Sequence, residues 1–264
     1  MLINTKSDGH VHTRLCHHAV GEMEEYVVAA IGKGLEELIF LEHLECGIRY
    51  PDDTWLSEED FIVYRREGER LQEAYRDRLR IGIGVEVGYN PRQVPEILDF
   101  LKQYTWDRVG LSFHYYEIKD HHYNVVSRRK INLEPLGKQG VERVISEYFA
   151  TLREAIDVLP GTVLCHLDAV LRHHPEVHFT GTHQRQISDI FQGMLGKGMA
   201  LEVNTSGFAH RGEQYPAREI LEEAVGMGVP LVAGSDAHKP ADVGRFFDRL
   251  QGGANPAGIL SCFS

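Results

Sequence analysis

The sequence predicts an α/β fold in which parallel strands curl into a closed or nearly closed barrel beneath an outer layer of helices. Three observations carry this expectation. Short β-type runs alternate with longer amphipathic stretches almost from end to end, seven such units follow one another, and no linker, repeat or low-complexity segment separates them. Each right-handed crossover lays its helix on the same face of the sheet, so a long series wraps round on itself. With 264 residues, 42% of them hydrophobic, the chain can bury one large core. The expected organisation is a single domain over residues 1–264.

The elements follow in order. A strand at 2–5 leads to an amphipathic helix at 23–33, which Gly32-Lys-Gly34 stops before a strand at 37–41 with the apolar run Leu-Ile-Phe-Leu. A helix at 58–76, a strand at 81–87, a helix at 94–104 and a strand at 109–113 continue the alternation. After a helix at 141–158 come a strand at 162–167 and a helix at 183–196 that ends in Gly196-Lys-Gly198. A strand at 200–204, a helix at 217–227 ending in Gly226-Met-Gly228, a strand at 230–233 and a helix at 242–250 complete the series. One connection, from Tyr115 to about Gly140, exceeds ordinary loop length and carries His121, His122, Arg128, Arg129 and Lys130. It is either a lid over a site or a solvated surface insertion.

Composition narrows the function classes. The formal charge is -11, from 39 acidic and 28 basic residues, so the average field repels long nucleic acid and anionic membrane surfaces. An anionic substrate then needs locally concentrated positive charge. Cys16, Cys46, Cys165 and Cys262 lie far apart without a CxxC pair, which fits neither a disulfide framework nor a thiolate zinc knuckle. Residues 1–8 lack a basic region followed by an apolar stretch, and no later run approaches the roughly 18 apolar residues of a membrane span. A reducing cytoplasm is the expected setting.

The anomaly is histidine: 15 residues, more than half the Lys plus Arg total, several in HxH or HH groups. Their placement is more telling than their number. Asp8-Gly-His10-Val-His12 follows the first strand, and alternation in extended chain points both imidazoles to one side. Cys16-His17-His18 follows on the same loop, where either histidine is a candidate. The second strand ends in Leu41-Glu42-His43, the third contains Gly84-Val-Glu86-Val-Gly88, and the fourth ends in Ser112-Phe113-His114. The fifth carries Cys165-His166-Leu-Asp168 and the seventh ends in Gly234-Ser-Asp236-Ala-His238. In a parallel barrel those carboxyl ends gather at one rim, where active sites form.

One histidine near a strand end is more often a core residue with its hydrogen bonds met. Six segments bringing imidazoles and carboxylates to one rim would leave donors and charges unsatisfied without a metal. Cys16 and Cys165 read as small buried apolar residues, Asp8 and Asp168 as carboxylates that orient a ligating imidazole. His121, His122, His173, His174, His178, His183 and His210 have no such setting and are assigned to the surface.

This set resembles the polymerase and histidinol phosphatase superfamily, the PHP domain, over nearly the whole chain. Its opening HxH motif is matched by His10 and His12, the histidine a few residues later by His18, the second motif by His43, and the bridging glutamate by Glu86. His114 and His166 match the single histidines of the following strands, and Asp236 with His238 the closing DxH. Gly84-Val-Glu86-Val-Gly-Tyr89 with Pro91, Glu202-Val-Asn-Thr-Ser-Gly207, Tyr215-Pro216 and Gly234-Ser-Asp-Ala-His238 look most like the stand-alone histidinol-phosphate phosphatases. Leu41-Glu-His43 departs from the Thr-containing form often found before that histidine.

The resemblance implies a distorted seven-stranded (β/α)7 TIM-like barrel with three divalent metal ions, Zn, Mn or Fe. His10, His12, Glu86 and Asp236 would surround one, Glu86, His114 and His166 the second, and His18, His43 and His238 the third. Glu86, Asp236 and His238 are the expected catalytic residues. Three ions, two carboxylates and a hydroxide sum to roughly +3, enough for an acidic protein to hold a phosphate dianion. A metal-activated hydroxide would attack phosphorus in line, without a covalent enzyme intermediate. Arg172, shortly after His166, and Arg211, beyond the Asn204 turn, are candidate phosphate clamps.

The expected enzyme is thus a phosphoric monoester hydrolase, with L-histidinol phosphate as substrate and a place in histidine biosynthesis. Alternatives are a phosphoesterase for nucleotides or short oligonucleotides, a protein-tyrosine phosphatase, an amidohydrolase, and a non-catalytic metal-binding scaffold. The missing basic surface disfavours long nucleic acid, and the third ligand group exceeds what an amidohydrolase uses.

Overall fold

The structure is a computed structural model that describes residues 3–252. Seven parallel strands form one sheet in the order β1 (Ser7–Val11), β2 (Glu37–Glu45), β3 (Arg80–Gly88), β4 (Arg108–Ser112), β7 (Val163–Leu164), β8 (Ala200–Asn204) and β9 (Leu231–Gly234). The intervening hairpin β5 (Tyr115–Ile118) and β6 (His121–Asn124) stands apart from that sheet. The helices are α1 (Met23–Gly32), α2 (Glu58–Tyr75), α3 (Val94–Lys102), α4 (Lys130–Lys138), α5 (Val141–Val158), α6 (Gly181–Lys197), α7 (Gly207–Arg211), α8 (Arg218–Met227) and α9 (Phe247–Gly252). This is the nearly closed, distorted (β/α)7 barrel that the alternation predicts.

The outer helices bury one face each. In α5, Val144, Ile145, Tyr148, Phe149, Leu152, Ala155 and Ile156 are inside, a spacing of three and four that gives one apolar stripe. Gly198 and Gly228, at φ 67 and 83, occupy the left-handed positions that end α6 and α8. Among the described residues no helix is long and apolar enough to cross a membrane.

Three expected boundaries move, for identifiable reasons. The first strand is not at 2–5, of which Leu2 lies outside the described residues; it is Ser7–Val11, and all five residues are buried. Its polar side chains hide it from a hydropathy reading because their partners are inside the protein. The fifth strand pairs only at Val163–Leu164, since His166 turns into the left-handed region at φ 24. The last helix starts at Phe247, after a 3-10 turn at Pro240–Asp242 and left-handed breaks at Gly244 and Phe246.

The barrel closes between β9 and β1 with little backbone pairing. A single bridge joins Val11 to Ala237, where the His12 amide donates to the Ala237 carbonyl at 2.9 Å. The buried Asp8 carboxylate does the rest: it accepts from the Ser235 amide at 2.9 Å, the Ser235 hydroxyl at 2.5 Å and the Gly244 amide at 2.7 Å. Asp8 therefore fastens a seam and does not orient an imidazole, contrary to the sequence expectation.

The long connection is structured. Lys119 and Asp120 both take positive φ, 49 and 63, in the tight turn joining β5 to β6, a twist suited to a two-residue hairpin. The hairpin is stitched to the segment between β2 and α2. The His122 amide donates to the Arg49 carbonyl at 3.2 Å and the Arg49 amide to His122 Nδ1 at 3.0 Å. Thr54 and Tyr115 share a hydroxyl contact at 2.8 Å, Asn132 donates to the Tyr50 hydroxyl at 2.8 Å, and Arg129 pairs with Asp52. His122 is consequently buried, not a surface residue. His183 also departs from the expected exposure: it is fully buried at the start of α6, accepting from the Thr180 amide at 3.1 Å and contacting Ser146 Oγ at 2.9 Å.

Candidate metal centre and active site

Strand β1 delivers His10 and His12 side by side, both fully buried, with Nε2 atoms 2.9 Å apart. Glu86 lies on β3 as the register partner of His43 on β2. Its Oε1 is 2.8 Å from His166 Nε2 and 3.4 Å from His114 Nε2. Its Oε2 is 2.9 Å from His43 Nδ1, 3.4 Å from His10 Nε2 and 3.7 Å from His12 Nε2. The two oxygens of one carboxylate thus face two different sets of imidazoles.

Asp236 Oδ1 stands 3.4 Å from His12 Nε2, 3.9 Å from His10 Nε2 and 3.5 Å from His238 Nδ1. Beyond it, His238 Nε2 meets His18 Nε2 at 2.9 Å, and with His43 they form a group whose donor atoms lie within 4.8 Å of one another. His17 turns outward, its Nδ1 against the Asp53 carbonyl at 3.1 Å. Cys16 and Cys165 approach the cluster, but burial pushes both thiols up, and they stay protonated fillers.

Before any ion binds, the surrounding charges set which imidazoles are readily protonated. Burial disfavours a charged His114, yet Glu86 and Glu45 outweigh it and push its pKa up to about 10. His10 is raised against burial by Glu202 and Glu86. Burial and then the neighbouring His12 hold His43 well below its ordinary value and His238 down to about 3. Glu86 and Asp236 are kept well below the carboxylate range despite burial by the imidazoles around them.

Buried atoms in the cluster without a hydrogen-bond partner among the described residues include His12 Nδ1 and His166 Nδ1, and the His43 Nδ1–Glu86 Oε2 contact at 2.9 Å lacks hydrogen-bond geometry. Buried polar atoms are rarely left so, and two imidazole nitrogens 2.9 Å apart share at most one proton. Converging imidazole and carboxylate lone pairs are the donor set of divalent ions such as zinc, manganese or iron. The residues present fit such ions.

Three glutamates around the cluster escape the sequence reading. Glu202 Oε1 lies 2.6 Å from His10 Nδ1, Glu45 Oε1 lies 2.7 Å from His114 Nδ1, and Glu42 accepts from the Thr13 amide and hydroxyl beside His12. Glu45 lies two residues beyond His43 on the same strand, so strand alternation was the available signal.

Asp168 also departs from expectation. It binds no imidazole; it takes both arms of Arg211, at 2.8 and 3.3 Å, and the Ala217 amide at 2.8 Å. Arg211 stacks over the buried Tyr215 ring at 4.0 Å, and Arg172 lies 5.9 Å from the same ring while donating to the Val126 carbonyl at 3.0 Å. Nearby His210 is held down to about 4 by burial and by Arg172, His173 and Arg245, a sign of positive potential at this part of the rim.

A parallel barrel with imidazoles and carboxylates crowded at its carboxyl rim defines the class of barrel metallohydrolases. Within that class the chain belongs to the PHP domain family, whose model matches residues 8–206, with the PHP-associated model matching 217–260. The probable histidinol-phosphatase of Deinococcus radiodurans is 30% identical over 251 residues, covering 92% of this chain and 91% of that protein. The histidinol-phosphatase of Bacillus subtilis is 27% identical over 266 residues, covering 92% and 97%. Two solved structures share the fold. A putative histidinol phosphatase from Listeria monocytogenes has a TM-score of 0.83 at 23% identity, covering 92% of this chain and 99% of its own. Histidinol phosphate phosphatase from Lactococcus lactis, solved with zinc, L-histidinol and phosphate, has a TM-score of 0.75 at 26% identity, covering 89% and 87%.

Proposed function

We propose that this protein hydrolyses a small phosphate monoester, L-histidinol phosphate, to L-histidinol and phosphate, using three divalent ions at the rim. The observation that carries the reading is Glu86, whose Oε1 faces His114 and His166 while its Oε2 faces His10, His12 and His43. Relatives across nearly the full chain that are named histidinol-phosphatases, and the L. lactis structure with its product pair, support the substrate.

In this reading His10, His12, Glu86 and Asp236 would hold one ion, Glu86, His114 and His166 a second, and His18, His43 and His238 a third. When bound, such ions would supply a water of lowered pKa and positive charge for the phosphoryl oxygens. The protein's own groups do the positioning. Glu202 and Glu45 accept from the Nδ1 atoms of His10 and His114, which leaves each Nε2 free as a donor towards the centre. Arg172 and Arg211 bind the phosphate, and Asp168 holds the Arg211 fork in plane beside Tyr215.

The outer glutamates change the charge estimate made from sequence. Counting Glu42, Glu45 and Glu202 with Glu86 and Asp236, five carboxylates nearly offset three divalent ions, leaving roughly +1 before any hydroxide. Attraction for a dianion therefore falls more heavily on the arginines than the sequence estimate of roughly +3 implies, and on Arg172 above all, because Arg211 is already paired with Asp168. Steady-state kinetics across L-histidinol phosphate, sugar phosphates, nucleotides, dinucleotides and a phosphotyrosine peptide, with and without chelator, test the proposal. L-Histidinol phosphate should have the highest kcat/KM and lose turnover with chelator. A nucleotide or phosphopeptide that outperforms it overturns the substrate, and chelator-insensitive turnover overturns the metals.

A further inference from the structure

Resting on the metal-centre reading above, we infer that Glu202 is a positioning residue that sets two metal ligands at once, fixing the proton of His10 on Nδ1 and the backbone of His166. Strand β8 contributes none of the nine proposed ligands, yet it carries this carboxylate, only 2% exposed, into the space between β1 and β7. Oε1 lies 2.6 Å from His10 Nδ1. Oε2 accepts from the His166 amide at 2.8 Å and from Asn204 Nδ2 at 3.1 Å.

An ionised carboxylate only accepts, so the ring atom at 2.6 Å carries the proton. His10 Nε2 is then the free lone pair, on the side of His12 and Glu86. The second hand matters for a different reason. His166 adopts φ 24, a left-handed conformation uncommon for a residue with a β-carbon, and such conformations persist where the surroundings impose them. The bond from the His166 amide to Glu202 holds that turn, and the turn delivers His166 Nε2 to Glu86 at 2.8 Å.

The neighbouring strand makes room for the carboxylate. Gly234 on β9 is the register partner of Asn204, and a β-carbon there would collide with Glu202 Oε1 and crowd His10 Cβ. A glutamine at 202 has one acceptor and one donor at its tip. It can serve the His10 proton or the His166 amide, but not both.

Two measurements test this. In protein loaded with cadmium-113, nitrogen-15 spectra of the histidines should show His10 coupled to the metal through Nε2, with its proton on Nδ1. Coupling through Nδ1 overturns the proposal alone, whereas no coupling from any histidine overturns the metal-centre reading and this inference with it. In full-length Glu202→Gln, competition against a chromophoric zinc chelator should resolve a class of sites weakened by about 10- to 100-fold. The class holding His18, His43 and His238 should keep its wild-type affinity, and the melting temperature of the metal-free protein should stay close to wild type. Uniform weakening of all classes, or unchanged affinity in every class, overturns the assignment. The cadmium spectra of the wild type decide the matter should the variant not fold.

Discussion

If Arg172 and Arg211 clamp the phosphate as proposed, their loss should separate phosphate binding from metal assembly, because a guanidinium is not a metal ligand here. Each Arg→Ala change should lower kcat/KM for the proposed substrate by about 10-fold to 1000-fold, or about 1.4 to 4 kcal/mol of transition-state stabilisation. Lys should recover only part, since a point charge cannot reproduce the planar guanidinium, which at Arg211 also has both arms on Asp168. Kinetics beside elemental analysis check this: wild-type kinetics in both Ala variants would leave the phosphate to the metals, and lost metal would make the arginines structural. At this scale the sequence exposed the residues that alternate at strand ends, such as His10 and His12. It hid Glu202, whose partners, His10 and His166, lie 192 and 36 residues away and meet it only after the barrel closes. Asp168 misled for the same reason, as its partner sits on α7 and not on a strand.

One of the contacts that hold the β5–β6 hairpin runs through a histidine, which makes that contact sensitive to acid. His122 Nδ1 accepts from the Arg49 amide, so protonation removes that bond. Burial, then the positive Arg49, Arg92 and His121, lower its pKa against the opposing pull of Glu117. A folded-state pKa below the unfolded value of about 6.5 means the contact is fully favourable above that pH and weakens as pH falls below it. The hydrogen-exchange protection of the Arg49 amide should therefore fall between about pH 7 and about pH 5, and a protection that stays flat removes His122 as the clasp. Most elements were visible as periodicity: α5 is found where its apolar stripe runs, and β8 where its short apolar run lies. The hairpin was not, because its strands are short and its side chains polar. Tyr116 reaches the core and Ile118 and Tyr123 pack against it, but a four-residue strand offers too few such positions to show a periodicity.

For the whole molecule, metal content is the decisive number. Gently purified protein should hold more than one transition-metal ion per chain by elemental analysis, and chelation should abolish turnover with recovery on adding zinc or manganese. A reproducible value of about one or fewer after reconstitution would sink a trinuclear site. The barrel itself was legible because seven βα repeats leave few other topologies, whereas its closure was not, resting on Asp8 and one backbone bridge. That seam has a bearing on how the protein is made. His10 and His12 are synthesised well before Asp236 and His238, and they meet across the join between β1 and β9. A nascent chain that has not yet released β9 already carries Glu86 but lacks Asp236 and His238. In the proposed reading, the ligand groups that include Asp236 and His238 are completed only once β9 has docked against β1, so metal loading reports on closure of the barrel.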